Sequence, residues 1–318
     1  MPTILPYSKK NMFFLSEKIK GGDLVAIPTE TVYGLGCDAT NSIAVGKIFQ
    51  YKNRPSFNPL IVHYDKIDEI LNNYVIKDLE YEILKVMEKE SITLVLEKKI
   101  NCNISLLCSN GSNLQAVRIP KKDITKEFIS MCGVPIAAPS ANKSNGLSPI
   151  YAKHVSESLN DKDFYILDGG KCESGIESTI LFVKNNEIEI LRYGAFDTDK
   201  LLNYNLKVKI SNKKSGVASA GMLDKHYSPN AKIRINASNV ENYEDGLLAF
   251  GTVISTTNNT KIIIKNLSEK GDLLEAAANL FKLLWEFDNE KIKNIAVMKV
   301  PNQGLGIAIN DRLLRASK

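Results

Sequence analysis

Leu24-Val25-Ala26-Ile27 runs straight into Pro28-Thr29-Glu30-Thr31-Val32-Tyr33-Gly34-Leu35-Gly36. Four apolar residues closed by a proline read as a short buried strand. The nine residues that follow gather hydroxyls, one carboxylate and two glycines. Glycines at a strand end permit tight turns and close approach of backbone to a ligand. A polar turn whose threonines satisfy their own backbone would use the same residues, and both readings are open here.

Similar units follow. Ile43 to Tyr51 carries apolar residues at helical spacing, Leu60 to His63 reads as a strand, and Leu79 to Met87 as a helix. Strands are expected at Ile92 to Leu96, Ala116 to Ile119, Pro135 to Ala138 and Tyr165 to Leu167. Ser178 to Val183 and Ile188 to Leu191 flank Asn185-Asn186, a hairpin signal. Strands mixed with helices and a hairpin predict an α/β or α+β domain built on a mixed sheet. Composition shifts after Tyr204, and Ser211 to Pro229 reads as a linker rich in Ser, Gly, Lys and Asn. Beyond it, strands at Gly246 to Phe250, Lys261 to Lys265 and Ile295 to Val300 alternate with helices at Leu273 to Phe287 and Ile307 to Leu314. The expected division is 1–205 for the first domain, 206–230 for the linker or lid, and 231–318 for a small βαβ-type domain.

Composition excludes several classes. At 318 residues with 44% hydrophobic and 24% charged, the chain is not collagen-like, disulfide-dense or largely disordered. Forty-one basic residues against 36 acidic ones leave a net charge of +5, mild enough to suit small anionic substrates. Met1 to Leu15 does not read as a signal peptide, and no run of apolar residues is long enough for a membrane span. Five cysteines without a CxxC pair are expected to be reduced thiols, and the protein to be soluble and cytoplasmic.

Lys52 and Arg54 stand where a helix gives way to a proline-bounded loop, ahead of Asn58-Pro59-Leu60-Ile61-Val62-His63. Fixed cations in a loop suit phosphate, though they also favour the negative end of the preceding helix. His63, taken alone, reads as a hydrogen-bonded core histidine. Arg118 and Arg192 sit in or at the end of apolar strands and need an anionic partner, either an internal carboxylate or a substrate carboxylate held by the guanidinium fork. Pro139 to Pro149 is a hydroxyl-rich loop in which Ser148-Pro149 has the form of an N-cap followed by proline at the first helical position. Amides at such a helix start would also suit an anion. Gly169-Gly170 and Gly175-Ile176-Glu177-Ser178-Thr179 again place glycine and hydroxyls before a strand. A phosphate loop, a dinucleotide fingerprint, a nucleophile elbow and zinc spacings are all absent from the sequence.

Taken in order, PTETVYGLG at 28–36, KNRP at 52–55, NPLIVH at 58–63, AVRIP at 116–120, APSANKS at 138–144, SP at 148–149, GIEST at 175–179 and the LRYG ending at Gly194 resemble the threonylcarbamoyl-AMP synthase family. Its catalytic unit is the YrdC-like domain. SAGMLDKHYSP at 219–229 and GLGIAINDRLLRAS at 304–317 resemble the linker and C-terminus of the family's longer form. The resemblance implies a twisted mixed-sheet α/β catalytic domain with a smaller Rossmann-like α/β domain after it. It further implies a nucleotidyltransferase that turns L-threonine, bicarbonate and ATP into threonylcarbamoyl-AMP and pyrophosphate, with Mg2+ accompanying ATP. The product would pass to a tRNA threonylcarbamoyl transferase.

Carried over by position, Thr31, His63, Arg118 and Ser178 would form the threonine site. Lys52, Arg54, Asn58, Ser140, Asn142, Ser148, Arg192 and Tyr227 would form the ATP side, with His226 in a lid that excludes water. No covalent nucleophile is implied. The chain departs from the family pattern at Lys89-Glu90-Ser91, Asn145, Ile150, Lys171 and Ala220, which touches turn geometry and removes no charged residue. A different class of protein would use the same cations as a basic concave face for RNA, without chemistry.

Overall fold

The computed structural model describes residues 1–55, 57–204, 210–211, 226–254 and 262–318. Most of the expected linker therefore lies outside the described residues. The chain opens with β1 (Thr3–Pro6), α1 (Lys9–Lys20), β2 (Val25–Ile27), β3 (Gly34–Asp38), α2 (Ser42–Lys52) and β4 (Ile61–His63). Next come α3 (Ile67–Asn73), β5 (Tyr74–Val75), α4 (Asp78–Met87), β6 (Ile92–Lys98), β7 (Leu114–Arg118), α5 (Asp123–Cys132) and β8 (Ile136–Ala137). Then follow α6 (Ala152–Ser158), β9 (Tyr165–Asp168), β10 (Thr179–Lys184), β11 (Glu187–Arg192) and β12 (Ile210–Ser211). The last part contains β13 (Lys232–Ala237), β14 (Gly246–Ala249), β15 (Ile263–Asn266), α7 (Leu273–Asn289), β16 (Asn294–Met298) and α8 (Leu305–Ala316).

Among the described residues β1 to β12 form one sheet, ordered β1-β9-β2-β3-β8-β4-β7-β6-β10-β11-β12 with β5 on β6. Parallel pairs such as β4–β7 and β6–β10 alternate with antiparallel ones such as β2–β3 and β6–β7, so the sheet is mixed as expected. The Asn185-Asn186 turn joins β10 to β11 with both residues at positive φ, the backbone a two-residue hairpin requires. Side chains alternate across the sheet, and this decides where a ligand could sit. Val62, Leu94, Val117 and Leu181 enter the main core. Their neighbours Ile61, Val95, Ala116 and Ile180 form a small separate apolar patch on the opposite face. His63, Thr93, Arg118 and Ser178 stand two residues from these four and so share that opposite face.

Two expectations need correction. Gly34 to Gly36 is not a turn but the start of β3, paired with β2. A Cβ on Gly36 would come within 2.9 Å of Ile136 Cγ2 and 3.0 Å of the Val25 carbonyl, so this glycine answers to strand packing. Ser148 is not an N-cap. Helix α6 starts at Ala152 with Tyr151 at its cap and no side-chain capping bond, while the Ser148 hydroxyl donates to Glu177 Oε1 at 2.5 Å. A hydrogen bond to a buried carboxylate is stronger than one to a helix amide.

The second unit is a parallel sheet ordered β13-β16-β14-β15. Strand β13, absent from the sequence reading, pairs with β16. Helix α7 is capped by Asp272, which accepts from the Glu275 amide at 2.7 Å. It buries residues on more than one face, from Ala276 to Phe287, and one of those faces meets the first domain. A Cβ on Gly175 would lie 2.6 Å from the Ala277 carbonyl, and Trp285 Nε1 donates to the Ser148 carbonyl at 3.1 Å. Residues of both units belong to one continuous apolar core. The five cysteines are free thiols, and no described helix is long and apolar enough to cross a membrane.

Candidate active site

A cleft of about 500 Å³, open to solvent, lies on the face that carries His63 and Arg118. Thr31, Arg54, His63, Arg118, Ser140, Arg192, His226 and Tyr227 line it together with Glu177. Strands β4 and β7 run parallel with His63 directly opposite Arg118. Arg118 Nη2 bonds Glu30 Oε1 at 2.5 Å, and that carboxylate also accepts from Ser91 Oγ at 2.9 Å and the Lys121 amide at 3.0 Å. Arg118 Nε is buried with no hydrogen-bond partner among the described residues. Both readings of this arginine thus have support: one nitrogen is held by an internal carboxylate, and another polar group is unsatisfied beside the cleft.

His63 Nδ1 is likewise unpartnered among the described residues, and burial, then the Arg118 charge, pushes the imidazole pKa down to about 3. The ring is neutral at physiological pH. Thr31 Oγ1 lies 2.8 Å from Thr29 Oγ1, while the Thr29 hydroxyl accepts from the Thr31 and Val32 amides. Thr29 therefore serves its own turn, and Thr31 faces the cleft. Ser178 is behind the lining: its hydroxyl sits 2.7 Å from Thr93 Oγ1 and accepts from Arg192 Nη2 at 3.2 Å. Arg192 also donates to the Ser178 carbonyl through Nε and Nη2.

On the other side, Arg54 is held by the Asn58 and Pro59 carbonyls at 3.0 Å each. Burial lowers its pKa to about 10, and burial lowers that of Arg192 too. Two desolvated cations close enough to affect each other favour an anion in the cleft. Lys52 does not line the cleft. It is 1% exposed, its Nζ donates to the Ser140 carbonyl at 2.6 Å and to the Asn142 carbonyl, and burial holds its pKa well below the ordinary value. It pins the loop that presents Ser140. Asn142 points its amide nitrogen to the Lys143 and Gly146 carbonyls, leaving Oδ1 buried and unpartnered, as are both polar atoms of Asn58, among the described residues.

His226 and Tyr227 are in the cleft wall, with ring centroids 3.9 Å apart. Tyr227 has φ 63°, an uncommon conformation outside glycine and asparagine, and its ring lies 5.5 Å from that of Phe281. Burial takes His226 down to about 3 and Tyr227 up to about 12, so both are neutral. Glu30, Thr93 and Glu177 were not singled out by sequence reasoning. The only signal for the two carboxylates was their place inside glycine- and hydroxyl-rich stretches, where an acid has no obvious solvent.

The family described as telomere recombination matches residues 17–194, and the C-terminal domain of threonylcarbamoyl-AMP synthase matches residues 183–318. The chain belongs to the threonylcarbamoyl-AMP synthase family. A relative of that name from Pyrococcus abyssi is 33% identical over 94% of this chain and 92% of its own length. One from Bacillus subtilis is 31% identical over 94% of this chain and 90% of its own. The crystal structure of P. abyssi Sua5 complexed with L-threonine superposes with a TM-score of 0.86 at 28% identity, covering 100% of this chain and 97% of that one. E. coli YciO, 14% identical with a TM-score of 0.55 over 61% of this chain, shares the fold. The mixed-sheet YrdC-like architecture expected from the family's motifs is thus the observed one.

Proposed function

We propose that this chain is an L-threonylcarbamoyladenylate synthase, a nucleotidyltransferase that makes threonylcarbamoyl-AMP and pyrophosphate from L-threonine, bicarbonate and ATP for tRNA modification. The observation that carries this reading is the cleft itself, where three arginines, two neutral histidines and Thr31 converge on one face of the sheet. In this reading Arg118 binds the threonine carboxylate with the part of its guanidinium that Glu30 does not occupy. Thr31 and neutral His63 hold the polar end, and Ser178 fixes Thr93 and Arg192 behind them. The threonine amine takes up the bicarbonate carbon and water leaves, giving a carbamate. A carbamate oxygen then attacks the α-phosphorus, and pyrophosphate departs. Arg54 and Arg192 offset the gathered negative charge, and positioning supplies much of the rate.

The two carboxylates nearest the cleft, Glu30 and Glu177, each already bind an arginine, and no His/Cys/Asp/Glu group suited to a metal ion occurs among the described residues. Magnesium in this account arrives on the phosphates, as MgATP, where it offsets their charge. The cytoplasm, which holds ATP and tRNA, is the proposed location. The basic-face alternative has no support in the geometry, because Lys52, Arg118 and Arg192 are buried rather than presented to a polynucleotide.

Arg118→Lys tests the reading. It keeps the charge and loses the fork, so KM for threonine should rise by roughly tenfold or more while KM for MgATP moves little. An unchanged threonine KM would contradict the assignment. Arg118→Ala is a poorer test, because it strands Glu30 as a buried unpaired carboxylate at a cost of about 3–5 kcal/mol.

A further inference from the structure

We propose that Arg312, in the last helix of the chain, is a positioning residue of the cleft: it cancels the charge of Glu177 and supports the Tyr227 ring, so that the C-terminal domain completes the nucleotide side of the site. The inference rests on the synthase reading above.

Arg312 is 1% exposed and comes from α8, in the second unit. Its Nε and Nη2 reach Glu177 Oε2 at 3.3 and 3.2 Å. Its Nη1 donates to the Tyr193 carbonyl at 2.5 Å and lies 3.2 Å from Asp311 Oδ2. The guanidinium carbon stands 5.4 Å from the centroid of the Tyr227 ring, a cation–π distance. One side chain thereby ties together the strand end after Arg192, the wall of the cleft and the tyrosine that closes it.

Glu177 makes this more than a staple between domains. It lines the cleft alongside Arg54, Arg118 and Arg192. A bare carboxylate there would repel the phosphates of the nucleotide. With Ser148 on one oxygen and Arg312 on the other, its charge is matched from the side away from the substrate. Burial alone would raise the Glu177 pKa, yet Arg312, then Arg192, Ser148 and His226, bring it down to about 2.

The test measures KM for MgATP, by threonine-dependent pyrophosphate release, in the wild type, Arg312→Met, Glu177→Gln and the double variant. Arg312→Met should raise KM by roughly tenfold or more, since removing one partner strands the other charge. Adding Glu177→Gln should recover most of that loss, because the stranded charge is gone. The deficit of Arg312→Met should also shrink as pH falls, as Glu177, left with Ser148, the cleft's Arg54, Arg118, Arg192, His63, His226 and Tyr227, and the nearby Asp311, takes up a proton. Domain docking alone would show neither recovery nor pH dependence, and that result would overturn the proposal, as would an unchanged KM. If circular dichroism shows Arg312→Met unfolded, Arg312→Lys, alone and with Glu177→Gln, decides: a KM that stays near wild type, or rises and is recovered by Glu177→Gln, supports charge cancellation, and a rise that Glu177→Gln leaves in place overturns it. A wild type that releases no pyrophosphate overturns the synthase reading instead. Calorimetric MgATP affinities of the same four chains then decide the inference, with the same ordering expected and its absence overturning it.

Discussion

Three buried histidines make this protein less stable in acid. Burial, the largest cause in each case, lowers His63 and His226 to about 3 and His154 to about 4, from an ordinary value of 6.5. The folded chain keeps them neutral while the unfolded chain protonates them. Their contribution is therefore complete above pH 6.5 and is lost as pH falls toward 4 and 3. The slope approaches roughly 1.4 kcal/mol per pH unit for each histidine in that window. Glu177 adds stability that is present above 4.5 and lost toward 2. The urea midpoint should thus drop between pH 7 and pH 5, and a flat profile would contradict the burial of these rings. Little of this was legible in the sequence. His63 read as a core histidine, which its burial fits, but its register opposite Arg118 depends on which strands pair. Arg118 announced a need for an anion, and Glu30, its partner 88 positions earlier, could not be picked out from the other acids.

Glycines explain much at the level of elements, and Gly194 is the case beside the cleft. A Cβ there would overlap the Glu177 carbonyl and the Ser178 backbone, so the segment before β10 can lie against the end of β11 only with glycine. Gly194→Ala should cost about 1–3 kcal/mol by overpacking and should also weaken turnover, because Glu177 and Ser178 must shift together. A thermal midpoint and a turnover number both equal to wild type would contradict this. Strands with apolar residues on both faces, such as β4, β6 and β7, were legible because a strand buried on both faces needs no strict polar alternation. Strand β3 was not, since Gly-Leu-Gly carries a turn-like composition, and only the packing of Ile136 explains it. Two of the departures from the family pattern are accommodated locally, while Ala220 lies outside the described residues. Asn145 sits at φ 70°, which asparagine tolerates, and Ser91 donates to Glu30.

The whole molecule joins its two units around the cleft rather than beside it. Trp285 stacks on His154 at 4.6 Å and holds the Ser148 carbonyl, α7 packs on Gly175, and Arg312 reaches Glu177. The long-form architecture was legible from two C-terminal stretches, but the contacts were not: nothing in the sequences of α7 and α8 says that Trp285 and Arg312 reach across to the first domain. What the joined structure offers is a cationic cleft with neutral histidines, suited to bringing an amino acid carboxylate and a nucleotide together. The most direct measurement is pyrophosphate release by the full chain with MgATP and carbon-13 bicarbonate, with and without L-threonine. The account predicts release that requires both threonine and bicarbonate, with the label carried in a threonylcarbamoyl adenylate seen by mass spectrometry. Release that proceeds unchanged without threonine, or none at all from folded protein, would contradict it.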